Sequence, residues 1–276
     1  MIKNNRVALL YDFDCTLSDG FMQENKLAKD LGFSSAIEFF LACDARFQDG
    51  DLDMCLGHLL GTIEFAKEKG IDITKEYLQS CGKNITFYKG VTEWFDKINA
   101  VGKKLGLEVE HYVISSGVRE IIEGSAIADK FKRIYGCFYL YRDGKAIWPS
   151  QVANYTTKTQ YIHRVRKGAI DNLASLIEVN KKMTEDEMLP FKNMIYLGDS
   201  QTDIPSFKTV KVGGGLSICV YDEKNEHTRE VAQECFIEGR VNYFAPADYS
   251  ENRELFQLIK NYLENIAGKE IEDTVE

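Results

Sequence analysis

A series of short apolar runs sets the frame of this chain. They fall at residues 6–13 (RVALLYDF), 110–116 (EHYVISS), 134–140 (IYGCFYL), 193–199 (NMIYLGD) and 211–220 (KVGGGLSICV), with a shorter one at 241–246 (VNYFAP). Most are apolar on successive residues instead of alternating, the pattern of strands covered on both faces. Helical patterns separate them, and strands alternating with helices call for a parallel, doubly wound sheet. The sequence therefore predicts an α/β, Rossmann-like core of about six mostly parallel strands. One stretch departs from this: residues 139–148 (YLYRDGKAIW) carry Asp143-Gly144, a hairpin turn between two short strands. At residues 251–267, Leu255, Leu258, Ile259, Tyr262, Leu263 and Ile266 recur at helical spacing, which predicts a helix packed on the sheet.

Residues 17–88 have a different texture. Leu52, Leu56, Leu59, Leu60 and Ile63 form one apolar helix face, residues 34–47 also read as helix, and Gly50 and Gly70 mark breaks. No strand of note falls there. The expected division is a catalytic core of residues 1–16 and 89–276, with residues 17–88 inserted after the first strand as a helical cap.

Charge and composition narrow the function. The 276 residues carry a formal net charge of −9, which disfavours general nucleic-acid and anionic-membrane binding. No apolar run approaches the ~18 residues of a membrane span. The N-terminal apolar stretch runs straight into acids without a small-residue cleavage site, so it reads as a first strand. Seven scattered cysteines, with no C-x-x-C, suit reduced thiols and a cytoplasmic location. The four histidines show no metal-ligand spacing and are expected on the surface or on helices. Oligomeric state stays open.

The first run ends in Asp12 and Asp14. Two carboxylates so close repel each other unless a cation lies between them. Three further features stand at strand ends or helix starts: Ser115-Ser116-Gly117, Lys158, and Gly198-Asp199 with Asp203 four residues later. In an open α/β sheet, ligands bind beyond the carboxyl ends of the strands, so these residues are expected to share one rim. Taken singly, each has a plainer reading as a solvated turn, a helix cap or a surface lysine.

The stretches "DFDCT", "VISSG", Lys158 and "GDSQTD" resemble, in order, the four motifs of the haloacid dehalogenase (HAD) superfamily of phosphohydrolases. Residues 87–95, the Asp143-Gly144 hairpin and the helical insertion are similar to its phosphoserine-phosphatase-like branch, which carries a helical (C1-type) cap. The resemblance implies a phosphoric monoester hydrolase acting on a small-molecule phosphate ester. Asp12 would be the nucleophile that forms an aspartyl-phosphate, and Asp14 the general acid and base. Ser115 would hydrogen-bond a phosphoryl oxygen and Lys158 would neutralise charge. Backbone N–H groups near Phe13, Ser116 and Gly117 would bind the phosphoryl group. The implied cofactor is Mg²⁺, held through Asp12, Asp14 and Asp199, with Asp203 behind them. The cap position at which phosphoserine phosphatases recognise the substrate amine is Phe21 here, with Glu24 the nearest acid and Arg46 the candidate for a substrate carboxylate. Phe21, Met22, Phe39, Phe40 and Phe47 are candidates to line an apolar leaving-group pocket. Three other readings stay open: a phosphotransferase or mutase, a phosphonate hydrolase using Lys67, Lys69 or Lys83, and a non-catalytic phospholigand sensor.

Overall fold

The computed structural model describes residues 5–171 and 176–272. Strand β1 (Arg6–Tyr11) is followed by four helices, α1 (Leu27–Asp30), α2 (Ala36–Phe47), α3 (Met54–Glu68) and α4 (Lys75–Gly82). The chain then runs through α5 (Val91–Lys104), β2 (Glu108–Val118), α6 (Arg119–Glu123), β3 (Arg133–Arg142), β4 (Lys145–Gln151), α7 (Lys158–Lys167) and α8 (Leu176–Asn180). It closes with β5 (Met194–Gly198), α9 (Ile204–Val212), β6 (Leu216–Tyr221), α10 (Glu226–Ile237), β7 (Tyr243–Pro246) and α11 (Glu254–Glu272).

The seven strands form one sheet in the order β4-β3-β2-β1-β5-β6-β7. All neighbours are parallel except β3 and β4, the predicted hairpin, which is antiparallel. The order reverses between β1 and β5, the switch point at which α/β sheets bind ligands. β1 is central and buried almost throughout, as its unbroken apolar run demands. The α5 side of the sheet carries a buried polar chain: the Trp94 indole donates to the Tyr11 hydroxyl (2.8 Å), which meets His111 Nδ1 (2.9 Å), and His111 Nε2 lies 2.9 Å from Asn99. His111 is thus a strand-core residue, not a surface one, because these partners satisfy both ring nitrogens; burial pushes its pKa down to about 3 and keeps it neutral.

Two expected elements shift. The run at 211–220 is only partly strand: residues 211 and 212 complete α9, Gly213–Gly215 turn the chain, and β6 begins at Leu216. In α3 the buried residues are Gly57, Leu59, Gly61, Thr62, Phe65 and Ala66, while Leu56, Leu60 and Ile63 are only half-buried and Leu52 lies ahead of the helix, exposed. Small residues choose that face. A Cβ on Gly61 would stand 2.3 Å from the Cys43 sulfur, so α2 and α3 approach more closely than larger side chains permit.

The same device docks the inserted helices on the core. A Cβ on Gly82, at the end of α4, would lie 2.0 Å from the Ile121 carbonyl oxygen of α6. A Cβ on Gly124, just past α6, would lie 1.9 Å from the Gln79 carbonyl oxygen. Both clashes are with backbone, which cannot rotate away. The insertion also meets the β3–β4 hairpin, where Ala146 N–H donates to the Ile73 carbonyl (2.7 Å) and the Tyr139 hydroxyl to the Leu59 carbonyl (3.1 Å). Gly82→Ala and Gly124→Ala are each expected to cost about 1–3 kcal/mol as overpacking. At ~2–4 °C per kcal/mol for a chain of this size, thermal unfolding should fall by several degrees. Gly50→Ala, with no atom within 4 Å of its added Cβ, should leave the midpoint almost unchanged.

Candidate active site

Strand register brings the predicted residues to one rim. Tyr11 pairs with Val113 of β2 and with Leu197 of β5, so Asp12 and Asp199 follow the ends of β1 and β5, while Ser115 stands in β2 just past its pairing with β1. Asp12 N–H extends the pairing by donating to the Leu197 carbonyl (2.8 Å). Beyond it the chain turns sharply around the Phe13 carbonyl, which accepts from the N–H groups of Leu17 (2.9 Å) and Ser18 (3.1 Å), with Cys15 at φ +56°. β2 loses register with β3 between Ile114 and Val118. Such a bulge re-aims side chains, and Ser115 and Ser116 lie within it.

Lys158 opens α7 with no solvent exposure. Its Nζ lies 2.8 Å from Asp12 Oδ2 and 2.8 Å from Asp203 Oδ1. Burial alone would lower its pKa, but Asp12 and Asp203 outweigh that and hold the ammonium charged. Asp203 is equally buried and also accepts from the Tyr196 hydroxyl (2.7 Å) and the Asp199 N–H (3.2 Å). Its side chain folds back over Gly198, where a Cβ would lie 2.4 Å from Asp203 Oδ2. That contact gives the glycine of "GDSQTD" its reason.

Asp14 Oδ1 accepts from the Met22 N–H (2.9 Å). Burial, and then the charge of Asp12, push its pKa up to about 8, so it carries a proton at neutral pH. Burial and Asp203 likewise raise Asp12, to about 6 against the pull of Lys158. Asp199 is raised by burial, Asp203 and Asp12. Carboxylate oxygens of Asp12, Asp199 and Asp203 lie within 4.8 Å of one another. Among the described residues, these carboxylates outnumber the Lys158 ammonium beside them, and such oxygen donors suit a hard divalent cation such as Mg²⁺. The Thr16 hydroxyl donates to Asp199 Oδ1 (3.3 Å), and the Thr16 carbonyl accepts from Tyr249 (2.7 Å).

A cavity of about 390 Å³ opens over this floor. Asp12, Asp14, Ser115, Ser116, Gly117 and Asp199 line it below, and Phe21, Phe39, Phe40, Met54, His58, Leu59 and Thr62 of the insertion line it above. The Ser115 hydroxyl accepts from the Gly117 N–H (2.9 Å). Phe13 N–H is engaged by Asp12 Oδ1 (2.7 Å), and its ring packs edge-on against Phe87.

Two sequence candidates stand elsewhere. Arg46 pairs with Glu68 (2.8 Å) and Glu64 (3.3 Å), with its guanidinium over the Phe65 ring, so those acids take the charge offered to a substrate carboxylate. Glu24 accepts from the Ala36 N–H (2.7 Å) and borders a separate shallow pocket. Neither they nor Met22 and Phe47 line the cavity. Sequence reading missed Gln23, His58, Asp44 and Tyr196. The first three depend on how the inserted helices pack, which no motif announces; Tyr196 sat unread inside an apolar strand.

No family model matches the chain. In an alignment of 287 positions it is 26% identical to an uncharacterized protein of Borreliella burgdorferi, covering 93% of this chain and 96% of that one. A phosphoserine phosphatase in apo form superposes with a TM-score of 0.55 at 15% identity, covering 92% of this chain and 98% of the other. A HAD family hydrolase of Salmonella enterica serovar Typhi gives 0.52 at 17% identity, covering 81% of this chain and 65% of that one, so this chain spans just under two thirds of its length. The resemblance read from the four motifs therefore holds at the level of the fold: the chain has the α/β fold of HAD-family hydrolases and phosphoserine phosphatases.

Replacing Lys158 by Met would leave Asp12 and Asp203 buried and unpaired. Breaking a buried pair from one side costs about 3–5 kcal/mol, and denaturant unfolding of Lys158→Met without added divalent cation should be weakened on that scale.

Proposed function

We propose that this chain is a Mg²⁺-dependent phosphatase that hydrolyses a small phosphomonoester through an aspartyl-phosphate on Asp12. The observation that carries the reading is the pairing of two aspartates with different surroundings. Asp12 is held as a carboxylate by Lys158, while Asp14, two residues on, keeps its proton. A nucleophile and an acid require that separation of pKa values.

In the first step an Asp12 oxygen forms a bond to phosphorus as the ester oxygen leaves, and Asp14 gives its proton to the departing alcohol. In the second, Asp14, now ionised, takes a proton from the water that attacks phosphorus, and Asp12 is released. Ser115 and Ser116 donate to the phosphoryl oxygens. Lys158 offsets charge on Asp12 throughout, and Asp203, fixed by Tyr196, orients Lys158. A bound cation would neutralise the acids and the phosphoryl group; Asp12 and Asp199 would hold it, with the Asp14 carbonyl as the resemblance implies. Thr16 orients Asp199. In this reading residues 17–88 are a cap that opens for substrate and closes to exclude water. None of Lys67, Lys69 and Lys83 lines the cavity, which weighs against a Schiff-base phosphonate hydrolase.

The test is phosphate release from p-nitrophenyl phosphate and acetyl phosphate, with Mg²⁺ or with chelator, by wild type and Asp12→Asn. Release should require Mg²⁺, and the substitution should lower kcat by about three orders of magnitude or more, the scale for loss of a nucleophile. Release that persists in chelator, or in Asp12→Asn, would count against the mechanism.

A further inference from the structure

The upper wall of the cavity describes what the leaving group must be. Phe21 meets Phe40 edge-on at 5.3 Å between ring centres, Phe40 stacks on His58 at 4.5 Å, and Phe39 closes the group 5.5 Å from Phe40. Met54 and Leu59 add apolar surface. Among the described residues, no lysine or arginine lines this cavity, and its acidic members are all aspartates: Asp12, Asp14, Asp44 and Asp199. Arg46 is occupied by Glu64 and Glu68. His58 supplies no charge either, since burial lowers its pKa below the usual imidazole value, against the pull of Asp44 at 3.3 Å.

Apart from Thr62, whose hydroxyl donates to the His58 carbonyl (2.9 Å), two polar side chains interrupt the apolar wall beside His58. Gln23 lines the cavity with 7% of its surface exposed, and its buried Oε1 has no hydrogen-bond partner among the described residues. Asp44 presents a carboxylate beside His58. Both are acceptors. An unpaired buried acceptor is costly, and a substrate N–H or O–H would relieve that cost. Aromatic faces and a nearby carboxylate favour an ammonium above all. A second anion would be desolvated against phenyl rings beside aspartates with no cation to meet it.

Resting on the phosphatase reading, we propose that the leaving alcohol has an aromatic or aliphatic body and a hydrogen-bond-donating group, best an ammonium, and no second anionic group. Gln23 and Asp44 are its specificity-determining residues. Phosphoserine and other carboxylate-bearing esters are then poor substrates, although the fold is shared with phosphoserine phosphatases.

The test uses O-phosphotyramine and O-phosphotyrosine, which differ only by a carboxylate, with phenyl phosphate as the unsubstituted ring. Steady-state rates are measured in Mg²⁺, and binding of the matching phosphonates is measured by calorimetry. The expected kcat/KM order is phosphotyramine, phenyl phosphate, phosphotyrosine, with the first and last separated about a hundredfold, the scale on which an apolar pocket rejects an added polar group. The phosphonates should bind in the same order. Gln23→Leu should narrow the ratio of phosphotyramine to phenyl phosphate, and Gln23→Glu should restore or widen it, which a merely structural glutamine would not do. Equal or reversed preference for the carboxylate-bearing compounds, in turnover or in binding, overturns the proposal while leaving the phosphatase reading intact. Ordered phosphonate binding without turnover of any ester upholds the pocket and removes the phosphatase.

Discussion

The ammonium of Lys158, buried between the carboxylates of Asp12 and Asp203, is the interaction on which the rest of the site depends. The three residues come from the end of β1, the start of α7 and the turn after β5, with Lys158 lying 146 positions after Asp12 and 45 before Asp203. An ion pair this deep is a poor source of net stability, because desolvation of the charges offsets most of their attraction. It makes sense as a constraint. It favours the ionised form of Asp12, whereas burial, and then the charge of Asp12, raise the pKa of Asp14 two residues further on. Several nearby features serve that geometry: Gly198 leaves room for Asp203, Tyr196 satisfies it, and the parallel register of β1 and β5 brings the two ends together.

The inserted helices carry a different burden. They are positioned by backbone contacts at glycines and by the β3–β4 hairpin, and they present a largely apolar surface to a highly charged floor. Excluding water from such a floor strengthens every electrostatic interaction in it. The link between the two halves is direct at the loop that precedes α7: Asp53 caps α3 through one carboxylate oxygen and accepts from Asn154 through the other (2.8 Å), and Asn154 in turn anchors Thr157, the residue before Lys158. Packing of the insertion and placement of the buried lysine are thereby mechanically joined.

Much of the core was legible in the sequence for a plain reason. Strands buried on both faces leave continuous apolar runs, and acids or glycines that interrupt them at their ends have few structural uses. The four motif positions therefore declared themselves, and strand register then carried them to one rim. The insertion was less legible because its faces are set by close approach at Gly61, Gly82 and Gly124, and small residues leave no apolar periodicity to read. Leu52, Leu56, Leu59, Leu60 and Ile63 suggest one buried face of α3; of these only Leu59 is buried, and Gly57, Gly61, Thr62, Phe65 and Ala66 complete the actual face. Arg46 reads as available for a ligand, but Glu64 and Glu68, one turn apart on the neighbouring helix, hold it. Gln23 had no motif to mark it; only its unpartnered oxygen in the cavity wall does.

In the proposed mechanism Asp12 becomes covalently phosphorylated. The most direct test is borohydride reduction during turnover of any accepted ester, followed by peptide mass spectrometry. An acyl phosphate is reduced to the alcohol, so the account predicts homoserine at position 12, dependent on both ester and Mg²⁺, with Asp14, Asp199 and Asp203 unmodified. Turnover that leaves Asp12 intact, or reduction that instead fixes substrate to a lysine of the inserted helices, would contradict it.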